Sequence, residues 1–232
     1  MSLPTRAPGV LTVGAALPDP PFELAGEPPS GLDIDLTRAL AADLGLGWRL
    51  VRWTGADFNG IFAGLGRDYD VVASGATVTP ARETVAVFGA PYLESGQALA
   101  CDPARTPDLR SIDDLAGLAL GVQQGNTSEP LAEGLKAAGK LGRVALYPYD
   151  AIETMLDDLA AGRIAAVMKL RPVLDWLVAE RPGLKVVQTG VTEERIALAT
   201  ATGDLAGALA EAQERLETSG RLEEMRRRWR AA

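Results

Sequence analysis

Short apolar runs of strand length alternate with helix-patterned stretches along nearly the whole chain. That alternation leaves few architectures open. Residues 11–15 read as a strand, and a proline-rich loop follows. Leu36, Leu40 and Leu44 then fall at four-residue intervals on one helix face, stopped by Gly45. The run WRLVRW over 48–53 alternates as a half-exposed strand, 58–65 reads as a short helix, and 70–73 as a buried strand. A β-α-β-α-β order of this kind demands a mostly parallel sheet with helices on both faces.

A second unit of similar size begins after Cys101. Residues 112–115 suggest a helical turn, and 119–123, 143–147, 164–168 and 184–188 suggest strands. Helices open near Thr127–Pro130, at a capping box of Asp150 and Glu153, and at Pro172. After Gly190 come a strand over 196–201, a long amphipathic helix through Leu205, Leu209 and Leu216, and a terminal one through Leu222, Met225 and Trp229. Two such α/β units joined by extended crossovers near 96–100 and 190–197 predict a cleft at the strand carboxyl ends.

Composition removes several function classes. The net charge of −8 argues against nucleic acid, and no apolar run approaches the length of a membrane span. The single cysteine, Cys101, excludes an internal disulfide and a cysteine-rich metal site. The absence of histidine removes Ser-His-Asp and Cys-His nucleophiles and most transition-metal sites. No cofactor or metal is expected. The basic group Arg226, Arg227, Arg228 and Arg230 is read as a solvated helix face, since Leu222, Met225 and Trp229 form the buried stripe.

Two segments carry binding chemistry. In 70–92, DVVASGATVTPARETVAVFGAPY, a strand runs into Ser74-Gly75 and a helix opens at Thr79-Pro80 with Arg82 in its first turn. Hydroxyls from Ser74 and Thr77, a guanidinium fork and backbone amides together suit a small carboxylate. In 121–129, GVQQGNTSE, strand, glycine and a hydroxyl-rich helix start form a second anion-binding shape.

These segments resemble, in order and separation, those of the periplasmic solute-binding proteins of polar amino acid ABC transporters, bacterial solute-binding protein family 3. Pro21-Phe22 resembles the family's PPF, GLDIDL over 31–36 its GFDVDL, YDVVASGATVTP over 69–80 its YDVIISGMTITP, and FGAPY over 88–92 its FSDPY. The resemblance spans about residues 10–230. It implies an α/β, two-lobed, type II periplasmic-binding-protein-like fold, each lobe a mixed, mostly parallel sheet flanked by helices. Lobe 1 would comprise 10–97 plus 197–232 and lobe 2 101–190, with hinges about 96–101 and 190–197.

The resemblance implies no enzyme activity but capture of an amino acid or related carboxylate in the interlobe cleft by hinge closure, for an ABC membrane permease. The protein would act as a monomer in the periplasm or another extracytoplasmic space, free or lipid-anchored. The opening stretch MSLPTRAPG lacks the charged and apolar regions of a signal peptide, so the signal would be absent from this chain. By the same resemblance Arg82 forks the ligand carboxylate, helped by Thr77. Ser74 and Gly75 lie beside the ligand amine, with Ala76 next to them. Phe58 forms an apolar wall, and Phe22 belongs to the same surface. Gln123, Asn126, Thr127 and Ser128 close from the second lobe.

Two positions depart from the family. Leu170 stands where an aspartate usually takes the ligand's α-ammonium, and Asp19 stands where an aromatic wall is common. Leucine accepts no hydrogen bond, and a buried unpaired ammonium is costly. The ammonium would therefore meet Asp19 or Glu23, or the ligand would be an oxo acid, hydroxy acid or dicarboxylate reaching Lys169 or Arg171; otherwise those two basic residues are solvent-exposed at a strand end. Ordinary amino acids remain the leading class. Two alternatives share the scaffold: a cyclohexadienyl dehydratase-like enzyme with Asp19, Glu23 or Glu129 as proton donor, and the ligand-sensing domain of a signalling receptor.

Overall fold

The structure, a computed structural model, describes residues 3–231; Met1 and Ser2 of the opening stretch and the final Ala232 lie outside the described residues. In chain order the strands are β1 (Val10–Ala16), β2 (Gly47–Trp53), β3 (Val71–Val72), β4 (Val87–Ser95), β5 (Gln97–Cys101), β6 (Ala119–Gln123), β7 (Arg143–Tyr147), β8 (Ala166–Leu170), β9 (Lys185–Gln188) and β10 (Glu194–Thr200). The helices are α1 (Leu32–Asp43), α2 (Pro80–Glu83), α3 (Ser128–Ala137), α4 (Ile152–Ala160), α5 (Arg171–Ala179), α6 (Gly203–Thr218) and α7 (Arg221–Arg228), with 3-10 turns at Phe58–Gly64, Ile112–Asp114 and Tyr149–Ala151.

The chain divides into two compact units. The first holds the described residues up to Thr54, Asn59–Glu94 and those from Arg195 onward; the second holds Gly55–Phe58 and Ser95–Glu194. In the first, a five-stranded sheet has the order β2-β1-β3-β10-β4. β1 runs parallel to β2 from Val10↔Gly47 to Ala16↔Trp53 and parallel to β3 through Val13↔Val71. β10 joins β3 antiparallel through Ala199↔Val72. α1 can begin only at a glycine. Gly31 sits at φ +135, and a Cβ there would lie 2.1 Å from the Phe22 carbonyl oxygen. From that start Leu32, Leu36 and Leu40 are fully buried, and Gly45 at φ +68 ends the helix.

The second unit has the order β7-β6-β8-β5-β9. β6 is parallel to β7 and β8, and β5 is antiparallel to both β8 and β9. Its core packs Leu99, Leu115, Leu120, Val122 and Met168, with Cys101 buried among them. Both sheets are thus mixed, each taking in one antiparallel strand where the chain crosses between units. Segment 96–100, which the sequence suggests as a crossover, is strand β5 bonded on both sides.

Two local expectations fail. Asp150 and Glu153 form no capping box: a 3-10 turn over Tyr149–Ala151 leads into α4, whose cap residue is Ala151. Strand β8 starts two residues later than the apolar run suggests, because its last residues, Lys169 and Leu170, pair with Ala98 and Gln97 of β5. Among the described residues no helix is long and apolar enough to cross a membrane.

Candidate functional site

Each unit carries one set of candidate residues. In the first, the β3 strand delivers the chain to Ser74, whose Oγ accepts the Ala16 N–H at 3.1 Å. Gly75 follows at φ +54, with its N–H donated to Asp33 Oδ2 at 2.9 Å. A Cβ at that position would sit 2.8 Å from the Phe22 ring, so this turn needs glycine on both conformational and steric grounds. Phe22 is therefore packed beneath the loop, fully buried. Ala76 accepts the Ala197 N–H at 3.1 Å, and Thr77 bridges to Ile196, so β10 fixes the loop's far side.

Arg82 is the centre of this set. Thr79 caps α2 by accepting the Arg82 N–H at 3.2 Å, which sets the side chain's starting point. The guanidinium Nε then donates to Asn59 Oδ1 at 3.1 Å and Nη1 to the Thr77 carbonyl at 3.0 Å, over the Phe62 ring at 5.4 Å. Arg82 is only 6% exposed, so its fork is oriented by protein groups rather than by solvent.

Below the Gly75 loop lies an acidic interior. Asp33 is fully buried, and that burial pushes its carboxyl up to about 6 against an ordinary value of 3.8; Tyr92, the Gly75 N–H and Glu23 pull it down, and Asp19 adds a further push up. Tyr92 is pushed well above its usual range by burial first and Asp33 second. Glu23 is wholly buried, and Asp19 is held in a tight turn, its N–H donated to the Glu23 carbonyl at 2.9 Å and its own carbonyl accepting from Phe22.

In the second unit, Phe58 donates its N–H to the Gln124 carbonyl and its ring lies 5.0 Å from that of Tyr149. The wall residue thus packs with the second unit. Gln123 donates through Nε2 to the Tyr149 carbonyl, while its Oε1 accepts from Lys169 Nζ at 2.7 Å and from Asn126 Nδ2 at 3.3 Å. Lys169 is 3% exposed and lies 5.4 Å from the Tyr149 ring centroid, so the expectation of solvent exposure is wrong for this residue. Strand β8 runs inside the sheet to its end, which carries the ammonium inward. Arg171 is exposed and pairs with Asp175 at 3.2 Å.

Thr127 precedes α3 but its side chain makes no cap. Its Oγ1 donates to Glu194 Oε2 at 2.9 Å and accepts from Gln97 Nε2 at 3.0 Å. Ser128 is fully buried at the start of α3. Leu170 is buried, pairs with Gln97 across the ladder and precedes α5. Glu129 Oε2 accepts the Gly125 N–H at 2.7 Å, closing the glycine turn. Gln97 and Glu194 were not evident from sequence. Gln97 opens an otherwise apolar strand, a usable clue, whereas Glu194 follows Glu193 with nothing to mark it out.

The family profile of bacterial extracellular solute-binding proteins, family 3, matches residues 11–232. The chain belongs to that family. The L-cystine-binding protein TcyJ of Escherichia coli (strain K12) is 28% identical over 230 residues, covering 95% of this chain and 82% of TcyJ. An ancestral arginine-binding protein bound to arginine has a TM-score of 0.86 at 30% identity, covering 95% of this chain and 98% of that one. AncCDT-1, an ancestral amino acid-binding protein and a precursor of cyclohexadienyl dehydratase, has a TM-score of 0.84 at 26% identity, covering 95% of each chain. The two mixed five-stranded sheets are the two lobes of this family's fold. The relatives named for this family include binding proteins for amino acids such as arginine and L-cystine.

Proposed function

We propose that this protein captures a small carboxylate-bearing solute, an amino acid foremost, outside the cytoplasm and presents it to an ABC permease. Arg82 takes the ligand carboxylate, with Thr77 beside it and Ser74, Gly75 and Ala76 lining the same loop. Gln123, Asn126, Thr127 and Ser128 engage the ligand from the second lobe. Motion at the crossovers 96–101 and 190–197, between lobes 10–97 plus 197–232 and 101–190, biases the protein toward a closed form that the permease reads. The observation that carries this reading is the buried guanidinium of Arg82, oriented by Asn59 and Thr77. A fixed fork loses little freedom on meeting a carboxylate, which is where binding free energy is otherwise lost.

Relatives that bind arginine and L-cystine make polar amino acids the first ligands to test. Titration calorimetry against the twenty amino acids, with 2-oxo, 2-hydroxy and dicarboxylic acids alongside, tests the reading. Micromolar or tighter binding of one of them is expected, and no binding by any would refute it. Incubation with prephenate and arogenate, followed by absorbance, would reveal the dehydratase chemistry to which the ancestral neighbour is a precursor. Turnover there would replace transport as the function.

A further inference from the structure

We propose that a groove between α1 and α7 of the first unit is a docking site for an acidic helical segment of a partner protein. Its volume is about 430 Å³, and each of the two helices lines it with four residues at the spacing i, i+3, i+4, i+7, which places them on one face. Two helices that turn such faces toward a common groove offer a third helix a seat. The groove lies wholly in the first unit and holds whether or not Arg82 meets a ligand carboxylate.

Charge decides the occupant. Arg38 holds its guanidinium 4.4 Å over the Trp48 ring, a stacking that fixes the fork and uses none of its N–H donors. Arg221 is exposed in the first turn of α7, where the helix macrodipole already favours an anion. Among the described residues neither arginine pairs with a carboxylate. Arg228 differs: it meets Asp35 Oδ2 at 3.4 Å, and the same oxygen accepts from Trp229 Nε1 at 2.9 Å. That contact ties the two walls together and occupies Asp35, which leaves Arg38 and Arg221 for an incoming group. In a chain of net charge −8 the groove is a locally positive site, with three arginines against Asp35 and Glu224.

Besides the charges the lining is apolar, with Ala39 and Ala42 on one wall and Met225 on the other. An amphipathic helix with carboxylates one or two turns apart would meet Arg38 and Arg221 and set an apolar side chain against these three. A second copy of this chain suits the groove less well, since it too carries a net charge of −8. An anionic membrane is too flat to enter a groove, and it would press against the exposed Glu224. A separate protein segment with spaced acids meets neither obstacle.

The test is a phage-displayed library of helix-forming peptides, each of roughly 16 residues, selected against the full wild-type chain. Enriched peptides are expected to carry Asp or Glu at helical spacing and to shift the indole N–H signals of Trp48 and Trp229 in NMR spectra of the protein. They should bind the double variant Arg38→Glu, Arg221→Glu about tenfold or more weakly. Arg221→Glu alone, at an exposed position, should lose about threefold, and it decides the matter if the double variant does not fold. Enrichment of neutral or basic peptides, no enrichment at all, or acidic peptides held equally by Arg221→Glu would overturn the inference. So would sedimentation with phosphatidylglycerol vesicles, or self-association seen by light scattering, that the charge reversal abolishes, since the groove would then belong to a membrane or to a second copy.

Discussion

Replacing Asp33 with asparagine should make the first unit more stable at neutral pH and change little near pH 4. In the folded protein burial raises the Asp33 carboxyl from 3.8 to about 6, so the native state holds this proton more tightly than the unfolded chain does. Stability therefore declines as pH rises from about 4 to about 6 and is flat above that window. A shift of that size corresponds to at most about 3 kcal/mol. Asparagine keeps an oxygen to accept the Gly75 N–H and carries no charge to desolvate. Carboxyls nearer the surface, such as the exposed Asp114, held low by the Arg110 and Ser111 N–H groups, and the half-buried Asp158, held low by Tyr147 and Arg163, act in the opposite sense, their contribution being lost as pH falls. The difference between variant and wild type isolates Asp33. Urea unfolding followed by fluorescence of Trp48, Trp53 and Trp229, all in the first unit, should show that difference growing from near zero at pH 4 to about 3 kcal/mol at pH 8. A difference that stays constant across this range would refute the account of the buried acid.

Other outcomes follow from the same geometry. If Arg82 has the role proposed for it, Arg82→Ala should weaken ligand binding by about 100-fold or more, read by calorimetry, by removing charge-assisted hydrogen bonds to the carboxylate. Gly75→Ala should lower the melting temperature and the affinity together, since the new Cβ meets Phe22 at 2.8 Å and φ is +54. Gly31→Ala should be more damaging still, because its Cβ would lie 2.1 Å from backbone oxygen rather than from a side chain that can yield. Lys169→Met should preserve the fold while loosening Gln123, detected as altered ligand selectivity rather than loss of all binding.

Much of the architecture was legible because its signals are local. The α1 stripe, the WRLVRW alternation and strands β6 and β7 all emerge where periodicity predicts. Strand β5 was harder to see: its five residues are all buried between two neighbours, so QALAC shows no alternation. The Asp150 box failed because a 3-10 turn took the place of the cap. Within the candidate site, residues whose role depends on their own loop, such as Gly75 and Arg82, could be picked out from spacing. Gln97 and Glu194 could not, and the burial of Lys169 could not be foreseen, because their partners lie 30, 67 and 46 residues away along the chain. Only the sheet order brings them together.

The position of β10 between β3 and β4 has a consequence for synthesis. When β4 leaves the ribosome its neighbour has not been made, and it will not be until the whole of Ser95–Glu194 has emerged. The second lobe, whose strands all lie within Ser95–Glu194, can close during translation, while the first must wait as a nascent half-sheet with an open edge. A chaperone that shields such an edge would be needed most during that interval and released once β10 slots in.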